Sequence, residues 1–178
     1  MQIKPEFRIL SEQDVPLYRK IRLKCLQNYP DNFGTLYEDE IHAKNLKFDT
    51  ILRQQNSQSF LLGAFVNQEL IGICGCMRED RIKTNHRAEI SQMYVRNSFA
   101  GQGIGTKLLA HTLDKAFADT SLEMIELGVV DNNPQAIKLY SNLGFVQFGQ
   151  LDNYFKHKNQ YCGFTFIVLT QKKYFSLL

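Results

Sequence analysis

Residues 88–109 read AEISQMYVRNSFAGQGIGTKLL, and the fold turns on how this stretch is divided. Arg87 to Val95 alternates in the manner of a strand, and Gly103 to Phe117 places Ile104, Leu108, Leu109, Leu113 and Phe117 on one side of an amphipathic helix. Between them runs Gly101-Gln102-Gly103-Ile104-Gly105-Thr106, which carries a strand directly into a helix start. Without side chains in the way, consecutive N–H groups there converge on an anion, and the helix dipole favours negative charge at the same place. The dinucleotide fingerprint GxGxxG fails because Thr106 stands where the third glycine belongs, and the Walker pattern fails for want of its GK[ST] ending. Glycines at such a turn also serve close packing alone, so the local pattern leaves both readings open.

Downstream, Leu122 to Val130 is predicted as a strand and Pro134 to Leu143 as a helix, with Asn133 as N-cap, Pro134 at its first position and Gly144 as C-terminal cap. Ile137 and Tyr140 share a face of that helix, so a packed core tyrosine is one account of Tyr140. Phe145 to Phe148 and Phe164 to Thr170 read as short strands. Upstream, Phe7 to Leu10 reads as a strand, and Ser11 with Asp14 resembles a capping box. The helix that follows carries Val15, Tyr18, Ile21, Arg22, Cys25 and Leu26 at helical spacing through Gln27. A turn over Asn28 to Gly34 leads to two short helices, Leu36 to Lys44 and Phe48 to Gln55. Ser59 to Val66 and Leu70 to Met77 form an antiparallel hairpin across Asn67-Gln68-Glu69. This order predicts an α/β fold: a mixed, mostly antiparallel twisted sheet of about seven strands with helices on both faces.

With 178 residues, 44% hydrophobic and 22% charged, the chain is expected to form one domain over residues 1–178. Its net charge of +3 is spread along the sequence, so neither a nucleic-acid footprint nor a polybasic membrane patch stands out, neither nucleic acid nor membrane is expected as a partner, and no window approaches the apolar length of a membrane span. No apolar leader precedes a cleavage site, which makes the cytoplasm the expected location. Cys25, Cys74, Cys76 and Cys162 are too scattered for a metal knuckle and are expected as free thiols, with Cys74 and Cys76 on one strand face; no metal is implied.

Together the glycine loop and the second helix resemble the GNAT N-acetyltransferase superfamily, whose coenzyme A site uses a [QR]xxGx[GA] loop and a downstream NxxAxxLYxxxGF helix. Here the loop reads Ala100-Gly101-Gln102-Gly103-Ile104-Gly105, and Asn133, Ala136, Leu139, Tyr140, Gly144 and Phe145 match every defined position of the helix motif. Ala100 departs from the usual Gln or Arg, with Arg96 or Lys107 as candidates for a compensating charge.

The resemblance implies transfer of an acetyl group from acetyl-CoA to a primary amine by direct attack on the thioester. That chemistry needs a base for the amine proton, donors for the oxyanion and an acid for the departing thiolate. By resemblance Tyr140 is the acid and Asn133 contacts the pantetheine arm. Met93, Tyr94 and Val95 pair with that arm and offer an N–H to the oxyanion, in a splayed gap beside the strand at Leu122 to Val130. Gly101, Gln102, Gly103, Ile104, Gly105 and Thr106 hold the pyrophosphate. Glu89 is the candidate base, its flanking apolar residues being expected to desolvate it; Glu79 and His86 are lesser candidates, and His42, His111 and His157 are read as structural. Glu38, Asp39 and Glu40 either attract a cationic substrate or stabilise a helix first turn. The amine substrate is a small molecule or a peptide, and the resemblance is compatible with a homodimer. A catalytically weak acyl-CoA-binding sensor of the same fold is the alternative.

Overall fold

The structure, a computed structural model, describes residues 4–54 and 58–178. Asn67 and Gln68 both take positive φ (49° and 66°), the twist that suits a two-residue hairpin turn, and they join β2 (Phe60–Val66) to β3 (Glu69–Arg78). The connection is one residue shorter than the sequence suggested, because Glu69 already pairs with Val66. β1 (Glu6–Ile9) lies antiparallel to β2, and β4 (Arg87–Val95) antiparallel to β3. β5 (Met124–Val130) runs parallel to β4, and a long hairpin of β6 (Val146–His157) and β7 (Gln160–Thr170) completes a seven-stranded sheet ordered β1-β2-β3-β4-β5-β7-β6. One parallel junction in a mainly antiparallel sheet agrees with the expected mixed topology.

Helices cover both faces. α1 (Val15–Asn28) and the short α3 (Asp49–Arg53) bury Tyr18, Ile21, Cys25, Phe48 and Leu52 against Leu61, Phe65 and Ile73 on one side. On the other, α4 (Ile104–Phe117) and α5 (Pro134–Asn142) pack Leu108, Leu109, Leu113 and Tyr140 against Cys74, Cys76, Ile90 and Ile125. Phe48 fills the space that a side chain at Gly75 would take: a Cβ there would lie 2.2 Å from its ring. All four cysteines are free thiols, and burial pushes Cys25, Cys74 and Cys76 up to about 12.

Several segments differ from the reading of the sequence, among them β7, which begins at Gln160 and not at Phe164. α2 (Tyr37–Ile41) and α3 are only five residues each, and the expected helix end at Gln55 lies outside the described residues. The strand expected over Phe145 to Phe148 starts at Val146 and runs on to His157, turning through Lys158 and Asn159 at positive φ (47° and 64°) into β7. Most of β6 is solvent-facing, so the charged residues of KHKNQ interrupt no buried pattern and the apolar alternation that marks a half-buried strand is missing. A one-turn helix α6 (Gln171–Phe175) follows β7, with the Thr170 hydroxyl accepting from the Lys173 N–H.

At the start of α1, the Asp14 carboxylate accepts from the Ser11 N–H at 2.8 Å and from both Arg8 guanidinium nitrogens at 2.8 and 2.7 Å. The Arg8 hydrogen bonds hold the Asp14 carboxyl down to about 2 against the opposing cost of burial. Because the folded value lies below the unfolded one of ~3.9, this contact stabilises the fold fully above that pH and is lost as pH falls towards 2. Urea midpoints measured from pH 5 to pH 2 are expected to fall less steeply in Asp14→Asn than in the wild type; parallel curves would rule the linkage out.

Candidate functional site

β4 and β5 begin side by side and then part. Their pairing comprises Arg87 with Met124, Ala88 with Ile125 and Glu89 with Glu126, after which β4 stays with β3 to Val95 and β5 stays with β7 to Val130. The cause is a bulge in β4: the register with β3 shifts between Ile73 and Gly75, and Gln92 takes φ 55°. A positive φ costs a glutamine on the order of 1 kcal/mol. Here the residue is anchored by its side chain, whose Oε1 accepts from the Tyr18 hydroxyl at 2.9 Å.

The parted strands open a cleft of about 860 Å³. The glycine loop and the N-terminus of α4 stand at one end of it. Gly101 and Gly103 sit at φ 73° and 72°, and a Cβ at either would meet nothing within 4 Å, so the loop leaves open space above its backbone. Gly103 is the N-cap of α4, and the first N–H groups of a helix have no intrahelical acceptor. A Cβ at Gly105 would lie 3.6–3.8 Å from the side chains of Met93, Val95 and Leu139, an ordinary packing contact.

Met93, Tyr94, Val95, Glu89, Gly101, Gly103, Ile104, Gly105, Thr106, Asn133 and Tyr140 all line this cleft, so β4, the loop and α5 bring the expected residues together. Gln102 is exposed and stands outside the lining. Asn133 is committed as N-cap, its Oδ1 accepting from the Ala136 N–H at 3.1 Å. Tyr140 is buried, with its ring edge-on to Phe145 at 5.7 Å. Its hydroxyl has no hydrogen-bond partner among the described residues, and burial, with Cys74 nearby, raises its pKa above the usual tyrosine range. It therefore keeps its proton at neutral pH.

Glu89 is not desolvated as expected. It is 48% exposed and paired with Lys47 at 3.5 Å, because the apolar neighbours Ala88 and Ile90 point to the opposite face of the strand. Glu79 lines the same cleft, whereas His86 does not. Arg96 is bound to Glu69, whereas Lys107, exposed in the first turn of α4, has no ion pair among the described residues. His111 packs on Phe7 at 4.6 Å, a structural role. Of the three carboxylates after the first helix, Glu40 is buried against Arg22 and Asp39 accepts from the Leu36 N–H, so two of them organise α2.

The sequence reading missed the aromatic wall. Phe148, Tyr154, Phe164 and Phe166 of the β6–β7 hairpin line the cleft together with Tyr29 and Phe33. Tyr154 stacks on Phe164 at 4.7 Å, and Phe164 lies over Gly128, where a Cβ would come within 1.9 Å of its ring. Gly128 in mid-strand was the available signal, since such a glycine marks close approach. Phe155 reaches across to Gly34, tying the hairpin to the segment after α1.

A family model described as the acetyltransferase (GNAT) family matches residues 19–145. Spermidine N(1)-acetyltransferase of Vibrio cholerae is 26% identical over 144 residues, 81% of this chain and 75% of that protein. N-alpha-acetyltransferase 30 of Dictyostelium discoideum is 32% identical over 92 residues, 52% of this chain and 49% of that protein, so the chain spans about half of this relative's length. Among solved structures, yncA of Salmonella typhimurium with its cofactor acetyl-CoA superposes with a TM-score of 0.77 at 19% identity, covering 94% of each chain.

Proposed function

This chain belongs to the acetyltransferase (GNAT) family, and from that premise we propose that it transfers an acetyl group from acetyl-CoA to a primary amine by direct attack on the thioester. The observation that carries this reading is the parting of β4 from β5 immediately before an open glycine loop, with a buried, proton-bearing Tyr140 facing the gap. Beyond Glu89, the β5-facing backbone groups of β4 pair with no strand among the described residues, and an extended amide-bearing arm matches them in chemistry. Gly101, Gly103 and the first turn of α4 offer N–H groups to a pyrophosphate.

Acetyl-CoA supplies the activated acyl carbon when bound. The N–H groups at the end of β4 stabilise negative charge on the carbonyl oxygen, Glu89 takes the amine proton directly or through water, and Tyr140 gives its proton to the sulfur as the C–S bond breaks. The relatives' names support amine substrates of two kinds, polyamines and protein N-termini.

Thermal unfolding with acetyl-CoA at ~100 times its dissociation constant is expected to show about 2.7 kcal/mol of added stability, several degrees for a domain of this size. ATP and NAD at the same concentration are expected to give none. Stabilisation by ATP or NAD and not by acetyl-CoA would refute the proposal.

A further inference from the structure

Gln92 is 8% exposed, lines the cleft and stands at the bulge that parts the strands. Its amide is oriented by its neighbours. The Tyr18 hydroxyl accepts from the Phe48 N–H at 3.3 Å, so its one proton is free to be donated, and it goes to the Gln92 Oε1 at 2.9 Å. That commits the amide oxygen. The Nε2 group, two N–H donors on a side chain more than nine-tenths buried, is left with no partner among the described residues. That group opens to the cleft which Gln92 lines, where a substrate oxygen can replace water as its acceptor.

Resting on the acetyltransferase reading, we propose that Gln92 selects amine substrates that carry a carbonyl or carboxylate oxygen close to the reacting nitrogen, that is, peptides or amino acids, over polyamines. A polyamine offers only donors near its reacting end, and Gln92, with its oxygen held by Tyr18, has only donors to meet it. Glu89 and Gln92 lie three residues apart on β4, about 10 Å along an extended strand and less across the bulge. An ammonium and its neighbouring oxygen, each hydrogen-bonded to one of these side chains, span a comparable distance. The Glu89 carboxylate then faces the ammonium and the Gln92 amide faces the oxygen. Tyr154 and Phe164 add apolar surface to the same cleft.

The test measures kcat/KM with saturating acetyl-CoA for a tripeptide amide with a free N-terminus, the matching free amino acid, and spermidine. The wild type is expected to prefer one of the two oxygen-bearing substrates, and which one it is separates peptide from amino acid as the source of the oxygen. Gln92→Glu keeps the size and the Tyr18 contact but removes both donors. It is expected to lower the ratio of the preferred substrate to spermidine by about 10–100-fold, mainly through KM, as for a lost hydrogen bond to a charged or buried partner. Tyr18→Phe frees the amide to turn over and is expected to move the ratio the same way; it decides the matter if Gln92→Glu does not fold. A wild type that prefers spermidine, a ratio unmoved by either variant, an equal fall on all substrates, or no oxygen-bearing substrate turned over although acetyl-CoA stabilises the protein would overturn the proposal. Absence of stabilisation by acetyl-CoA would instead overturn the acetyltransferase reading beneath it.

Discussion

Tyr140→Phe is expected to lower kcat by about 10²–10³-fold while leaving the dissociation constant of acetyl-CoA within a factor of two. The size follows from what a positioned proton donor contributes to a transition state. The selectivity of the effect follows from local structure. Tyr140 packs by its ring against Phe145, and its hydroxyl bonds to nothing among the described residues, so the phenylalanine variant keeps the packing and strands no partner. The hydroxyl of this otherwise buried residue opens to the cleft, where a reacting group can meet it. Pre-steady-state acetyl transfer, together with a binding isotherm for acetyl-CoA, separates the two quantities. A rate within threefold of the wild type would remove Tyr140 from the chemistry. A protein that binds acetyl-CoA and shows no rate to lose before the substitution would be the sensor that the sequence left open.

What the sequence made legible follows the physics of each segment. The strand-to-glycine-to-helix stretch and the Asn133 to Phe145 helix were readable because each rests on short-range rules: positive φ at Gly101 and Gly103, a capping asparagine, a proline at the first helical position, a left-handed Gly144 at φ 91°. The environment of Glu89 was not readable, because strand alternation turned its apolar neighbours to the opposite face and Lys47, distant in sequence, came to pair with it. Gln92 was invisible for a similar reason. Its importance comes from a bulge and from Tyr18, 74 residues away in the chain, and nothing in the local pattern announces either. The β6–β7 wall was missed because a solvent-facing hairpin carries no burial period, even though its aromatics shape the cleft.

The second large effect lies beneath the cleft wall. Arg22 and Glu40 form a two-pronged ion pair, both bonds at 2.9 Å, with side chains only 4% and 11% exposed. Glu40→Ala is expected to destabilise the fold by about 3–5 kcal/mol, because it leaves a guanidinium charge buried with no counter-ion. At roughly 2–4 °C per kcal/mol, that amounts to a fall of about 10 °C in Tm. The cost is one of stranding and not of the pair's own strength: Nη1 of Arg22 already lacks a partner, so the pair is imperfectly compensated even when intact. The double variant Arg22→Met with Glu40→Leu, which removes both charges and keeps volume, is therefore expected to be more stable than Glu40→Ala alone; a double variant as unstable as the sum of the singles would contradict this. The consequence reaches the site, since the Arg22 guanidinium lies over the Phe33 ring at 5.2 Å and Phe33 faces the cleft. Releasing that guanidinium loosens the part of the cleft wall that Phe33 forms, so at a temperature where Glu40→Ala remains folded its KM for the amine is expected to rise more than its KM for acetyl-CoA, whose proposed contacts lie on β4 and the glycine loop.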